Sequence, residues 1–230
     1  MSLSEDLSSE IATILRETWD TRDGQKVPET DNLKLSNDAV ILDATVLYAD
    51  LADSTGLVDT YKPLFAAEIY KCYLHAAAKL IRSEGGTITA YDGDRIMATF
   101  LGGSKNTSAV RTALKINYAV KKIVNPAIQA QYSNTDFSLR QTVGIDTSSL
   151  HVARTGIRGS NDLVWVGRAA NYAAKLCGLS SDYPTWITSA VYNMLHESAK
   201  FTDGNSMWEA RSWTAMSDQR IYRSNWRWSI

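Results

Sequence analysis

The 230-residue sequence predicts an α+β protein: a ferredoxin-like βαββαβ core with extra C-terminal strands and an N-terminal helix. Three observations predict it. The apolar run ATVLYA at 44–49 reads as a strand that ends in carboxylates, and a helical pattern starts at Pro63. The stretch TITAYDGDRIMATFL reads as two strands joined at Asp92-Gly93, a tight-turn pair. A second helical pattern and another strand-like run follow, completing the order strand, helix, hairpin, helix, strand.

The elements follow in chain order. Leu7, Ile11, Ile14, Leu15 and Thr18 fall at helical spacing behind a Ser2/Glu5 capping box, and DTRDGQKVPETDN after them is polar and broken by Gly and Pro. The expectation is a docked N-terminal helix and linker over 1–38, ahead of one domain over 39–230. Pro63 suits the first turn of a helix whose face carries Phe65, Ile69, Tyr73, Ala76 and Leu80, and Gly85-Gly86 ends it. After the hairpin, Ala109, Ala113, Ile116, Val120 and Ile123 mark a helix over about 106–123 that Pro126 is expected to close. A strand at about 138–146 leads to a polar hairpin through TGIRGSND. VWVGRAANYAAKLCG then passes from a strand end into a helix with a small apolar face. TWIT reads as a short strand, SAVYNMLHES as a short helix, and QRIYRSNWRW alternates as an edge strand does.

Composition excludes several classes. Lys and Arg total 24 against 25 Asp and Glu, a formal charge of -1, without the basic excess of a duplex-binding protein. The N-terminus carries acids where a signal peptide carries Lys or Arg, and no run of about eighteen apolar residues occurs. Cys72 and Cys177 each fall in a helical pattern, which predicts two buried thiols in a reducing compartment rather than a disulfide. A cytoplasmic protein with neither a nucleic-acid nor a membrane partner is expected.

In a split βαβ unit the first strand and the hairpin lie side by side, so Asp50 at a strand end meets Asp94 at the turn. Two ionised carboxylates forced together repel unless a cation lies between them. Hard oxygen ligands at that spacing suit Mg2+ or Mn2+ shared with substrate phosphates. Behind Asp50, the backbone N–H groups of Ala52, Asp53, Ser54 and Thr55 lead toward a helix as a phosphate cradle, with the Thr55 hydroxyl as a further donor. Read separately, Asp50 and Asp53 can merely cap a turn and Asp92-Gly93-Asp94 merely make one. Their joint occurrence in this element order favours the metal site; for Asp53 itself a turn cap is preferred to a ligand.

LYADLADST, AYDGDRIMATF and VGRAANYAAKL, in this order and spacing, resemble the catalytic domain of class III nucleotidyl cyclases over about residues 42–200. The resemblance implies two divalent metals, Mn2+ or Mg2+, in each active site, held by Asp50, Asp94 and the backbone carbonyl of Leu51. It implies that Asn171 orients the ribose. Lys175 takes the place of the family's transition-state Arg, supplying a point charge without the bidentate fork. Where purine cyclases place base-reading side chains this chain has Ala90 and Val164, neither of which can hydrogen-bond a purine edge through its side chain. The bulky neighbours Tyr91 and Trp165 can fill a purine's volume. This combination resembles the pyrimidine cyclases of bacterial Pycsar antiphage systems, closer to the uridylate branch. The implied reaction converts the nucleoside triphosphate UTP to 3',5'-cyclic UMP and pyrophosphate, the cyclic nucleotide acting on a separate effector, with backbone groups and Tyr91 reading the base. The alternatives are a cytidylate or purine nucleotide cyclase, or a catalytically dead nucleotide-binding dimer.

In the resembling family the Asn and Arg act on the partner's substrate, which implies a head-to-tail homodimer with two shared sites. Asn171 and Lys175 are expected on a helix leaving the sheet face away from Asp50 and Asp94. His75, His151 and His196 lack Cys or His partners at ligand spacing and are expected to be structural. Trp208, Trp213, Trp226 and Trp228 are expected to pack a sheet face. Arg211, Arg220 and Arg223 read as a solvated edge from which one can reach the triphosphate.

Overall fold

The computed structural model describes residues 2–230. Helix α1 (Leu3–Arg16) starts with the expected capping box: Glu5 N–H donates to Ser2 Oγ at 3.4 Å and Ser2 N–H to the Glu5 carboxylate at 2.7 Å. None of its residues is buried, and Leu3, Leu7, Ile11, Ile14 and Leu15 stay exposed: Asn37 Nδ2 donates to the Ile14 carbonyl at 2.8 Å and holds the helix end, but the apolar stripe is not packed against the described residues. Nor is the polar stretch behind it a plain linker. Strand β1 (Asp20–Asp23) adds in parallel to β2 (Asp38–Leu51), and Arg22 forms an ion pair with Asp38. Backbone pairing needs no apolar side chains, so a fully polar strand escapes a hydrophobic pattern.

From β2 the chain makes α2 (Ser54–Thr60) and α3 (Pro63–Ser83), then the hairpin β3 (Thr87–Asp92) and β4 (Arg95–Phe100). The hairpin turns on Gly93 at φ 60°, a left-handed conformation that favours glycine. Helix α4 (Lys105–Ala119) does not stop at Pro126. A π-helical turn, Val120–Val124, carries the chain into α5 (Asn125–Gln131), where Pro126 occupies the first turn and its missing N–H is not needed.

Strand β5 (Gln141–Ile157) and β6 (Ser160–Val166) form the polar hairpin ahead of α6 (Arg168–Cys177), β7 (Thr185–Thr188) and α7 (Ser189–Asn193). The small ribbon β8 (Phe201–Thr202) and β9 (Asn205–Ser206) precedes β10 (Glu209–Trp213) and β11 (Gln219–Ser224). The main sheet runs β10-β11-β7-β5-β2-β4-β3, with β1 on β2 and β6 on β5. Its β5-β2-β4-β3 portion is antiparallel, the order expected of the ferredoxin-like unit. Strand β11 pairs on both sides, with β7 and β10, so it is internal and β10 forms the edge.

Alternation along β2 divides the core. Leu47, Ala49 and Leu51 pack with Ile69, Tyr73 and Ile81 of α3 and Ala113 of α4. Ala44 and Val46 pack with Ala169, Ala170 and Ala173 of α6. These small residues bring α6 so near β5 that a Cβ at Gly144 would stand 2.2 Å from the Ala173 carbonyl oxygen. Trp208 and Trp213 are buried and Trp226 and Trp228 pack against the α3/α4 core, as aromatic packing predicts. Cys177 is buried, but Cys72 is exposed on α3 and both are free thiols. Among the described residues, no helix is long and apolar enough to cross a membrane.

Candidate active site

Asp50, next to last in strand β2, faces away from the α3/α4 core into a cavity of about 700 Å³. Residues 50–55 line this cavity with Asp94, Arg95, Arg140, Thr142 and residues 177–182. Every residue expected to hold metal or phosphates, Asp50, Leu51, Ala52, Asp53, Ser54, Thr55 and Asp94, is therefore brought to one place. Asp50 lies opposite Arg95 in the β2–β4 register, and its Oδ2 is 3.5 Å from Arg95 Nε. The guanidinium carbon of Arg95 lies 5.9 Å from the centre of the Tyr48 ring. The Cys177 thiol at the end of α6 lies 3.9 Å from the same Asp50 Oδ2.

Burial pushes the Asp50 carboxyl above its ordinary range; Arg95 opposes this, while Asp94 and Asp92 add to it. The Cys177 thiol is pushed up to about 12, by burial first and by Asp50 second. Among the described residues no three His, Cys, Asp or Glu side chains gather as a metal cage. A divalent ion here has two carboxylates and must complete its shell with carbonyl, water or phosphate oxygens, which is how Mg2+ and Mn2+ are held beside nucleotides. The donor set fits such an ion, and the Arg95 guanidinium already places a cation against Asp50.

The loop after β2 alters the expected phosphate cradle. Ala52 N–H donates to the Arg140 carbonyl at 2.9 Å, so Ala52 contributes position rather than a free donor. Asp53 stands at the N-cap of α2 in a left-handed conformation, φ 60°, but its side chain makes no cap hydrogen bond. Its carboxylate instead lies over Gly56, where a Cβ would come within 2.7 Å of it.

Helix α6 lies on the Asp50 face of the sheet, not the far face, because the apolar stripe Ala169, Ala170 and Ala173 seats it on β2 and β5. Asn171 and Lys175 are exposed and neither lines the cavity of its own chain. Ala90 on β3 and Val164 on β6 are separated in the sheet by β4, β2 and β5, and neither lines the cavity. Tyr91 is exposed, while Trp165 packs against the α6-side core. The start of α6 is anchored by Arg168, whose Nε lies 3.0 Å from Asp146 Oδ2 and whose Nη2 donates to the Thr147 carbonyl at 2.6 Å. Thr188 Oγ1 completes the network by donating to Asp146 Oδ1 at 2.5 Å.

Sequence reasoning missed Arg95, Arg140, Thr142 and the turn 178–182. Arg95 had a signal, a cation directly after the turn aspartate. Arg140 and Thr142 stand two apart at the start of a strand, so a strand beginning at the site puts both on its cavity face. The turn GLSSD carries no periodicity, and only folding brings it to Asp50. Of the C-terminal arginines, Arg223 is held by Glu209 at 2.8 Å and stacks on Tyr183, and neither it, Arg211 nor Arg220 lines this cavity. His196 accepts from Ser198 N–H as a cap, a structural role.

No family model matches the chain. It is 53% identical to the uridylate cyclase of Xanthomonas perforans and 52% identical to that of Burkholderia cepacia, with the full length of both partners covered in each case. Among solved structures it is similar to the adenylyl cyclase CyaB from P. aeruginosa, with a TM-score of 0.65 and 20% identity over 81% of this chain and 95% of that one.

Proposed function

Because this chain belongs to the uridylate cyclases, within the class III nucleotidyl cyclase fold, we propose that it converts UTP to 3',5'-cyclic UMP and pyrophosphate. The observation that carries the chemistry is the convergence of Asp50, Asp94 and the 52–55 loop on one cavity. Asp50, Asp94 and the Leu51 carbonyl would hold two divalent ions, which when bound lower the pKa of the ribose 3'-hydroxyl and neutralise charge on the triphosphate. The N–H groups of Asp53, Ser54 and Thr55 and the Thr55 hydroxyl cradle the phosphates. Arg140, a cation half open to solvent at the cavity wall, holds the end that leaves. The 3'-hydroxyl gives its proton to water, its oxygen attacks the α-phosphorus in line, and the bond from the α-phosphorus to the bridging oxygen breaks, releasing pyrophosphate.

Asn171 of a second copy orients the ribose and Lys175 of that copy balances transition-state charge; their exposure, away from their own cavity, supports this arrangement in a homodimer. Neither Ala90 nor Val164 lines the cavity of its own chain, so on this reading they meet the base only across the dimer; there they leave no side chain for a purine edge, which favours the smaller ring of UTP, with backbone groups and Tyr91 reading it. The product serves as a messenger to a separate effector, in keeping with the Pycsar antiphage systems whose motifs the chain resembles.

The test is competition among ATP, GTP, CTP and UTP at equal concentration with Mn2+, the cyclic products being resolved by mass. A dominant cyclic UMP peak is expected. A dominant cyclic AMP or cyclic GMP peak overturns the pyrimidine reading, and cyclic CMP moves the chain to the other branch. Absence of pyrophosphate with all four nucleotides leaves a nucleotide-binding dimer.

A further inference from the structure

Resting on that reading, we propose that Arg95 is a resident competitor for the divalent ion: its guanidinium occupies Asp50 in the free protein and is displaced toward the triphosphate when the ion enters. The register sets the neighbourhood of the side chain. Arg95 is the cross-strand partner of Asp50 on β2 and of Asp92 on β3, with Tyr48 on the adjacent alternate position of β2.

The contact is unlike that of a structural arginine. Arg168 in the same molecule brings Nε to 3.0 Å from Asp146 and donates from Nη2 to a carbonyl at 2.6 Å. Arg95 Nε is buried, stands 3.5 Å from Asp50 at the outer limit of a hydrogen bond, and has no hydrogen-bond partner among the described residues. A buried donor left this way marks a position held by charge alone. About a third of the side chain is exposed, and it lines the same cavity as Asp94 and Arg140.

The groups around this guanidinium are Asp50, Asp92 and Asp94, the Cys177 thiol and the Tyr48 ring, so the local field favours a cation and Arg95 supplies one. A divalent ion has to take Asp50 from it. The displaced charge then needs an anion, and a triphosphate in the cavity provides that. Ion and nucleotide are thereby coupled: each binds better in the presence of the other.

The measurement is Mn2+ binding followed by loss of the free-ion spin-resonance signal at pH 7.5, with and without 3'-deoxy-UTP, which cannot cyclise. Without nucleotide, Arg95→Met is expected to bind Mn2+ about twofold to fivefold more tightly than the parent, the range of a partly exposed ion pair. The gain from adding 3'-deoxy-UTP is expected to shrink by a similar factor. Arg95→Lys, which keeps the charge, is expected to stay near the parent. Arg95→Gln serves if the Met variant does not fold. Equal or weaker Mn2+ binding by the neutral variants overturns the inference. Asp50→Ala separates this from failure of the metal site itself: if Mn2+ binding survives that change, the site assignment fails; if it is lost while neutralising Arg95 changes nothing, only the competition does.

Discussion

Asp50 and Cys177 face each other across 3.9 Å, and burial, the larger influence on both, leaves each holding its proton more tightly than in water. For the thiol this means inertness. For the carboxyl it means that folding and ionisation oppose one another. The folded chain keeps the Asp50 proton at a pH where the unfolded chain, titrating near 3.8, has lost it. The stability contributed is therefore full below that value and is lost as pH rises through the folded one. Asp50→Asn, uncharged throughout, is expected to melt higher than the parent at pH 7, with the gap closing toward pH 4. Calorimetric scans across that range check it, and a gap that widens on acidification is the contrary result.

At the scale of elements, the site depends on how closely α6 lies on the sheet. Gly144 is the point of contact: an added Cβ would meet the Ala173 carbonyl at 2.2 Å and the Cys177 amide nitrogen at 2.5 Å, both of them backbone. No side chain can rotate away, so the helix itself must lift. Gly144→Ala is expected to destabilise the fold by about 2–3 kcal/mol, the upper range for overpacking, read as an earlier urea midpoint at an unchanged slope. A shift of less than about 0.5 kcal/mol, the scale of a surface change, would mean that α6 is looser than its contacts imply. The Asp146, Arg168 and Thr188 network holds the other end of the same helix, so its start and finish are set independently.

On the proposed reading one chain carries an incomplete arrangement. The carboxylates line the cavity, while Asn171 and Lys175 are exposed on α6, and the apolar stripe of α1 is left uncovered by the described residues. A homodimer in which each cavity is completed by the other chain accounts for the first pair. Mixing Asp50→Ala chains with Asn171→Ala chains is expected to recover about a quarter of the parent turnover, because half of the randomly paired dimers carry one intact site of two. No recovery, with mixed dimers verified by mass, would put the chemistry within one chain.

The βαββαβ order and the meeting of Asp50 with Asp94 are legible in the chain. Both follow from local rules: alternation and helical spacing mark the elements, Asp92-Gly93 makes the hairpin, and that topology places the first strand beside the hairpin. Also legible is the 50–55 loop, since a strand end followed by a helix start needs no distant residue. Only long-range packing settles which face α6 takes, the contact of both Arg95 and Cys177 with Asp50, and the arrival of Arg140 and residues 178–182 at the cavity wall. The tertiary structure also decides that β1 joins the sheet and that the chain passes Pro126 as helix. Those outcomes depend on backbone hydrogen bonds and on contacts between residues far apart in the chain, neither of which leaves a periodic trace in side-chain polarity.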